Sequence, residues 1–144
     1  MYTGFKHLHS MLAYVLLAAL AYSIIATLIA YSSQKPFTEK NRKTALIGLI
    51  ATHVMVLIGL VLYFVSPLGF SNLSGEAMSD SLSRLYAVEH PLSMIIAAVL
   101  VTVGYSRAKK LTESSKRFSS ILLFFTLGLL LILLRIPWQA WPAL

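Results

Sequence analysis

Cysteine is absent from the 144 residues. That excludes disulfides, iron–sulfur ligation and covalently attached c-type haem, so any cofactor must be held by other side chains. Charge is scarce as well. Asp, Glu, Lys and Arg make up 12% of the chain, against roughly a quarter in an ordinary soluble domain. Acidic residues number only five, and Glu89 alone among them falls within a span, so paired-carboxylate catalysis lacks a second buried acid and a proton chain lacks its carboxylates. No Gly-rich phosphate loop, nucleophile motif, low-complexity tract or internal repeat appears, which disfavours a transporter built on inverted repeats.

What is present is apolar. Residues of the set AVILMFWYC form 58% of the chain, the mean hydropathy is +0.78, and the apolar residues gather into runs long enough to cross a bilayer. Four spans are predicted: Phe5 to Tyr31, ending at Ser32–Pro36; Thr44 to Val65, ending at Ser66–Pro67; residues 80–105, capped by Ser79 or Asp80 and kinked at Pro91; and residues 118–136, ending at Pro137. A Gly- and Ser-containing loop, Leu68 to Ser79, precedes the third. The first run exceeds the h-region of a signal peptide and has only Lys6 ahead of it, so it reads as a span. Short connections give an all-α, up-down-up-down four-helix membrane bundle, one transmembrane domain over residues 1–144, with helices 1 and 3 on a diagonal.

The net charge of +7 follows from topology and not from nucleic-acid binding. Most of the basic residues lie in two loops: Lys35, Lys40, Arg42 and Lys43 in one, Arg107, Lys109, Lys110, Lys116 and Arg117 in the other. Both loops are expected on the cytoplasmic side of the membrane, with both termini on the opposite side and Trp138 and Trp141 in an interfacial belt. Lys6, Arg84 and Arg135 are then the outer cations.

Ionisable groups inside spans are costly, so each suggests a role. His9 and His90 fall at nearly equal depth on diagonal helices, the arrangement that a six-coordinate haem requires of its two axial imidazoles. Lys6, Arg84 and Arg135 lie at the level where the propionates would sit, although Arg135 can equally snorkel to the interface. Helical steps from His90 give Met94, Ala97, Val101 and Gly104, a slim stripe that suits either a flat macrocycle or close helix approach. His53 lies deeper, roughly 15–20 Å from the outer surface. It is open to a hydrogen bond with Thr52 or Ser93, a separate metal site, or a quinone. Glu89 points away from His90 and is expected to pair with Arg84 or Arg135. His7 reads as interfacial. His7, His9 and Met11 imitate a copper tract only if the chain is extended, because residues two apart diverge on a helix.

The blocks His7-Leu8-His9-Ser10, Phe37-Thr38-Glu39-Lys40, His53 through Pro67, Ala87-Val88-Glu89-His90, Gly104-Tyr105-Ser106 and Ile136-Pro137-Trp138 together resemble a family of small four-span bacterial inner-membrane proteins usually labelled cytochrome b-like. The resemblance spans nearly the whole chain. It implies non-covalent haem b and carries over His9, His53 and His90; Arg135 stands where the family more often has a small residue. The expectation is a haem protein for electron transfer or redox sensing, near a larger respiratory complex, more a carrier or subunit than an enzyme. A cofactor-free accessory subunit, a quinone- or haem-handling protein, and a homo-oligomer are the other readings the residues leave open.

Overall fold

The computed structural model describes residues 1–142, and among these every regular element is helical. Six α-helices follow in order: α1 Tyr2–Ser32, α2 Glu39–Val65, α3 Gly75–Ser79, α4 Ser81–Arg84, α5 His90–Lys110 and α6 Ser114–Arg135. A 3-10 turn, Phe70–Asn72, lies between α2 and α3, and a π-helical turn, Leu85–Glu89, joins α4 to α5. Four helices are long and apolar enough to cross a membrane: α1, α2, the continuous stretch Ser81–Lys110, and α6.

Several helix ends overrun the predicted spans, because apolarity marks the run long enough to cross a membrane while helical hydrogen bonding continues into polar sequence. α2 starts at Glu39 and not at Thr44, since the Asn41 side chain accepts the Thr38 N–H at 2.9 Å and closes a capping box. The loop expected over Leu68 to Ser79 contains the 3-10 turn and α3, the latter capped by the Ser74 hydroxyl, which accepts the Ala77 N–H at 3.1 Å. Asp80 caps α4 by accepting the Ser83 N–H at 2.8 Å. Hydrogen bonding from Ser83, first its side chain and then its amide, holds the Asp80 carboxyl below the usual carboxylate range.

The irregularity assigned to Pro91 lies one turn earlier, as the π-helical turn. A proline ring collides with the carbonyl four residues back and offers that carbonyl no N–H, here Ala87. The backbone widens, with the His90 N–H donating to the Leu85 carbonyl five residues back. The Tyr63 hydroxyl reaches across from α2 and donates to the freed Ala87 carbonyl at 2.9 Å.

The long helices contact one another in a ring, α1 with α2, α2 with α5, α5 with α6, and α6 with α1. The slim stripe on α5 meets α6: a Cβ on Gly104 would come within 2.6 Å of Phe124 Cβ, and one on Gly128 within 2.9 Å of Val101 Cγ2. Ala97, Val101 and Gly104 therefore serve close helix approach. The solid core is concentrated toward the basic loops, where Leu20, Ala45, Val101, Phe118, Ile121 and Phe125 are buried almost completely. Those loops interlock there. Phe37 N–H donates to Ser114 Oγ at 2.8 Å, Arg117 stacks 4.0 Å over the Phe37 ring and donates to the Ala108 carbonyl at 2.7 Å, and Arg42, paired with Glu39, donates to Tyr105 Oη at 2.5 Å. The other end of the ring is hollow.

Candidate functional site

A cavity of about 210 Å³ occupies that hollow end, and α1, α2, α5, α6 and the segment after α6 all line it. Its walls are mostly apolar. The polar exceptions include His9, His90, Lys6, Ser10, Thr52, Ser66 and the phenols of Tyr2, Tyr63 and Tyr86.

The two histidines face each other. Their ring centroids are 6.2 Å apart and their planes cross at 83°. Two imidazoles that share one metal have about this separation, from two metal–nitrogen bonds of about 2 Å plus about 1 Å from each nitrogen to its ring centre. The surroundings of the rings differ. His90 Nδ1 donates to the Arg135 carbonyl at 2.8 Å. That carbonyl is free because α6 stops at Arg135 and Ile136 is extended, so the chain does not fold an N–H back to it; the N–H that Pro137 lacks would have gone to the Leu133 carbonyl, which takes the Trp138 indole instead. With the proton on Nδ1, the His90 Nε2 carries the lone pair and has no hydrogen-bond partner among the described residues.

His9 Nδ1 is buried and has no hydrogen-bond partner among the described residues. It rests against Gly59 of α2, where an added Cβ would lie 3.0 Å from His9 Cε1 and 3.6 Å from Nδ1. Only a residue without a side chain leaves that space for the ring. Tyr63, one turn beyond Gly59, also lines the cavity and holds the Ala87 carbonyl, so α2 supports both histidines.

No protein-family model matches the chain, and no curated protein or solved structure does. The chemistry therefore has to be read from the residues themselves. Among the described residues no three His, Cys, Asp or Glu side chains converge as ligands for a metal ion. Two facing imidazoles across an apolar cavity suit a group that brings its remaining ligands with it. A macrocycle such as haem does so, and the ring separation and the close seat that Gly59 gives the His9 ring fit it.

The other predicted site residues divide. Met94 lines the cavity one turn along α5 from His90, and Lys6, exposed at the rim, lines it as well. Arg84 and Arg135 do not line it. Both turn to Glu89, Arg84 Nε at 2.8 Å and Arg135 Nη1 at 4.0 Å, and Arg84 also donates to the Met78 carbonyl at 2.9 Å.

His53 also lies outside the cavity, exposed on the outer face of α2. The expected partners Thr52 and Ser93 are corrected to the Leu49 carbonyl, 2.8 Å from Nδ1, and Thr102 Oγ1, 3.2 Å from Nε2. Thr52 lies about 100° around the helix, buried, with its hydroxyl donating to the Gly48 carbonyl at 2.8 Å. Ser93 is nine residues from Thr102 on α5, about 13 Å along the axis and so at another level.

Sequence reasoning missed Gly59, Tyr63 and Trp141 as site residues. The segment after α6 folds back so that Trp141 Nε1 donates to the Ser10 carbonyl at 3.2 Å and its ring packs 4.7 Å from Tyr14, while the Trp138 indole donates to the Leu133 carbonyl at 2.9 Å. Trp141 is half-buried wall, although an aromatic belt was its expected place. A proline two residues past the helix end, followed by two tryptophans, was the available signal.

Proposed function

We propose that the chain is an integral membrane protein, an up-down-up-down four-helix bundle that holds one non-covalent b-type haem between His9 and His90. In this reading it serves electron transfer or redox sensing beside a respiratory chain in a bacterial inner membrane. The observation that carries the reading is the imidazole pair, 6.2 Å between centroids, opening on a largely apolar cavity. The resemblance to cytochrome b-like proteins and the two basic loops support the assignment and the orientation, with loops cytoplasmic and termini periplasmic.

Bound haem supplies one-electron chemistry at an iron that two imidazoles hold low-spin. The chain's own residues do the rest. The Arg135 carbonyl fixes the His90 tautomer and orients the ring, as outer hydrogen-bond partners of metal-bound histidines do. Tyr63 and the π-helical turn set where His90 begins its helix. Gly59 makes room for His9. Lys6, with the phenols of Tyr2 and Tyr86, gives the cavity a polar rim that matches a pair of carboxylates. The apolar walls exclude water, which favours exchange of an electron without side reactions.

The test is the absorption spectrum of detergent-purified protein expressed with ample haem, before and after dithionite. A sharp Soret band with split visible bands on reduction is expected. A colourless protein, well folded by circular dichroism, would remove the haem reading and leave the accessory-subunit reading in its place.

A further inference from the structure

The two histidines are held very unequally. His90 is gripped from three sides: its Nδ1 donates to the Arg135 carbonyl at 2.8 Å, its backbone N–H closes the π-helical turn, and the Tyr63 hydroxyl fixes the Ala87 carbonyl one turn back. His9 has no such hold. Its Nδ1 has no partner, its neighbour across the interface is the bare backbone of Gly59, and the next cavity residues along its own helix are Ser10 and Ala13. It lies two turns from the start of α1, which has no side-chain cap, and among the described residues no other part of the fold packs within 4 Å of where a Gly4 Cβ would be. Trp141 restrains the backbone at Ser10 but does not touch the imidazole's hydrogen-bonding nitrogens.

A metal-bound imidazole whose second N–H is hydrogen-bonded is oriented and made more basic, and loss of such a partner typically weakens binding by about 10- to 100-fold. Resting on the haem reading above, we propose that His90 is the fixed histidine and His9 the releasable one, so that a neutral diatomic gas can take the place of the His9 imidazole. With haem bound, such an exchange would give up one iron–nitrogen bond for one bond to the gas, with no net transfer of electrons or protons. The chain then has a second capacity beyond carrying electrons, reporting a gas through the position of the first helix. On the His9 side the cavity wall continues with the small side chains of Ser10 and Ala13.

The probe is carbon monoxide, added to the haem-loaded, dithionite-reduced protein. A Soret shift to that of a carbonyl adduct is expected, and a spectrum unchanged at saturating gas overturns the proposal. Two substitutions assign the sides. His9→Ala should keep its pigment through gel filtration, convert it to high spin, and bind carbon monoxide at least tenfold more tightly, because no internal ligand competes. His90→Ala should lose its pigment. The reverse pattern, or equal retention by both, overturns the assignment while leaving the haem reading intact. Absence of pigment in the unsubstituted protein overturns both. Helix content is matched by circular dichroism first, and the gas titration of the unsubstituted protein stands independently of how either variant folds.

Discussion

His90 Nδ1 donates to the backbone carbonyl of Arg135 at 2.8 Å, across 45 residues of sequence. One hydrogen bond thus completes the end of α6, fixes a tautomer on α5 and leaves the other ring nitrogen open to the cavity. The end of one helix and the wall of the cavity are the same structure here.

Gly59 and Gly48 separate site from scaffold. Alanine at 59 places a Cβ 3.0 Å from the His9 ring, and alanine at 48 places one 2.8 Å from Ser23 Oγ and 3.1 Å from Phe125. Gly59→Ala is expected to convert the low-spin spectrum to a mixed or high-spin one with little loss of thermal stability. Gly48→Ala is expected to destabilise the bundle by about 1–3 kcal/mol through overpacking while leaving the spectrum in place. Matched spectra and melting curves of the two variants check this.

Tyr63→Phe removes the donor to the Ala87 carbonyl and nothing else of the ring. The expected loss is about 1 kcal/mol, together with a shifted midpoint potential, because the turn that aims His90 is no longer pinned. Potentiometric titration reads the second effect, and an unmoved potential would limit Tyr63 to stability.

Trp141→Phe keeps the packing on Tyr14 but loses the bond to the Ser10 carbonyl. Transfer of haem to an excess of apomyoglobin should quicken, since one wall of the cavity is less firmly held. Equal transfer rates would mean that the wall is held by packing alone.

His53→Ala should leave the visible spectrum as it is, since His53 is exposed and its ring bonds to Leu49 and Thr102, away from the cavity. Glu89→Gln should do the same, because Glu89 pairs with Arg84 and Arg135 and not with either imidazole. Loss of pigment in His53→Ala alone would overturn the pairing of His9 with His90.

The four long helices were legible because runs of apolar residues set their number and order directly. Their ends were less legible, since the Thr38–Asn41 capping box and the polar turns at Lys110 and Ser114 carry no apolar signal. Equal depth picked out His9 and His90, a matter of counting residues from a common surface. What depth could not show was where each Nδ1 points. His90 finds the Arg135 carbonyl only because Pro137 stops α6 nearby, and His9 finds an empty place only because Gly59 lies opposite. The stripe Met94, Ala97, Val101, Gly104 looked like one surface. It divides between cavity and helix seam because α6 runs close to α5 at Gly104 and Gly128 but not at Met94.

The ring of helices is built from two halves of the chain, α1 with α2 and α5 with α6, and the hollow end lies where those halves meet. His9 belongs to the first half and His90 to the second. A ligand held by both is a clasp as well as a cargo: at a concentration of 100 times its dissociation constant it stabilises the closed form by about 2.7 kcal/mol. On the haem reading proposed above, a nascent chain that has reached only Val65 would carry half a site, and loading would wait until Arg135 has emerged to complete the other half.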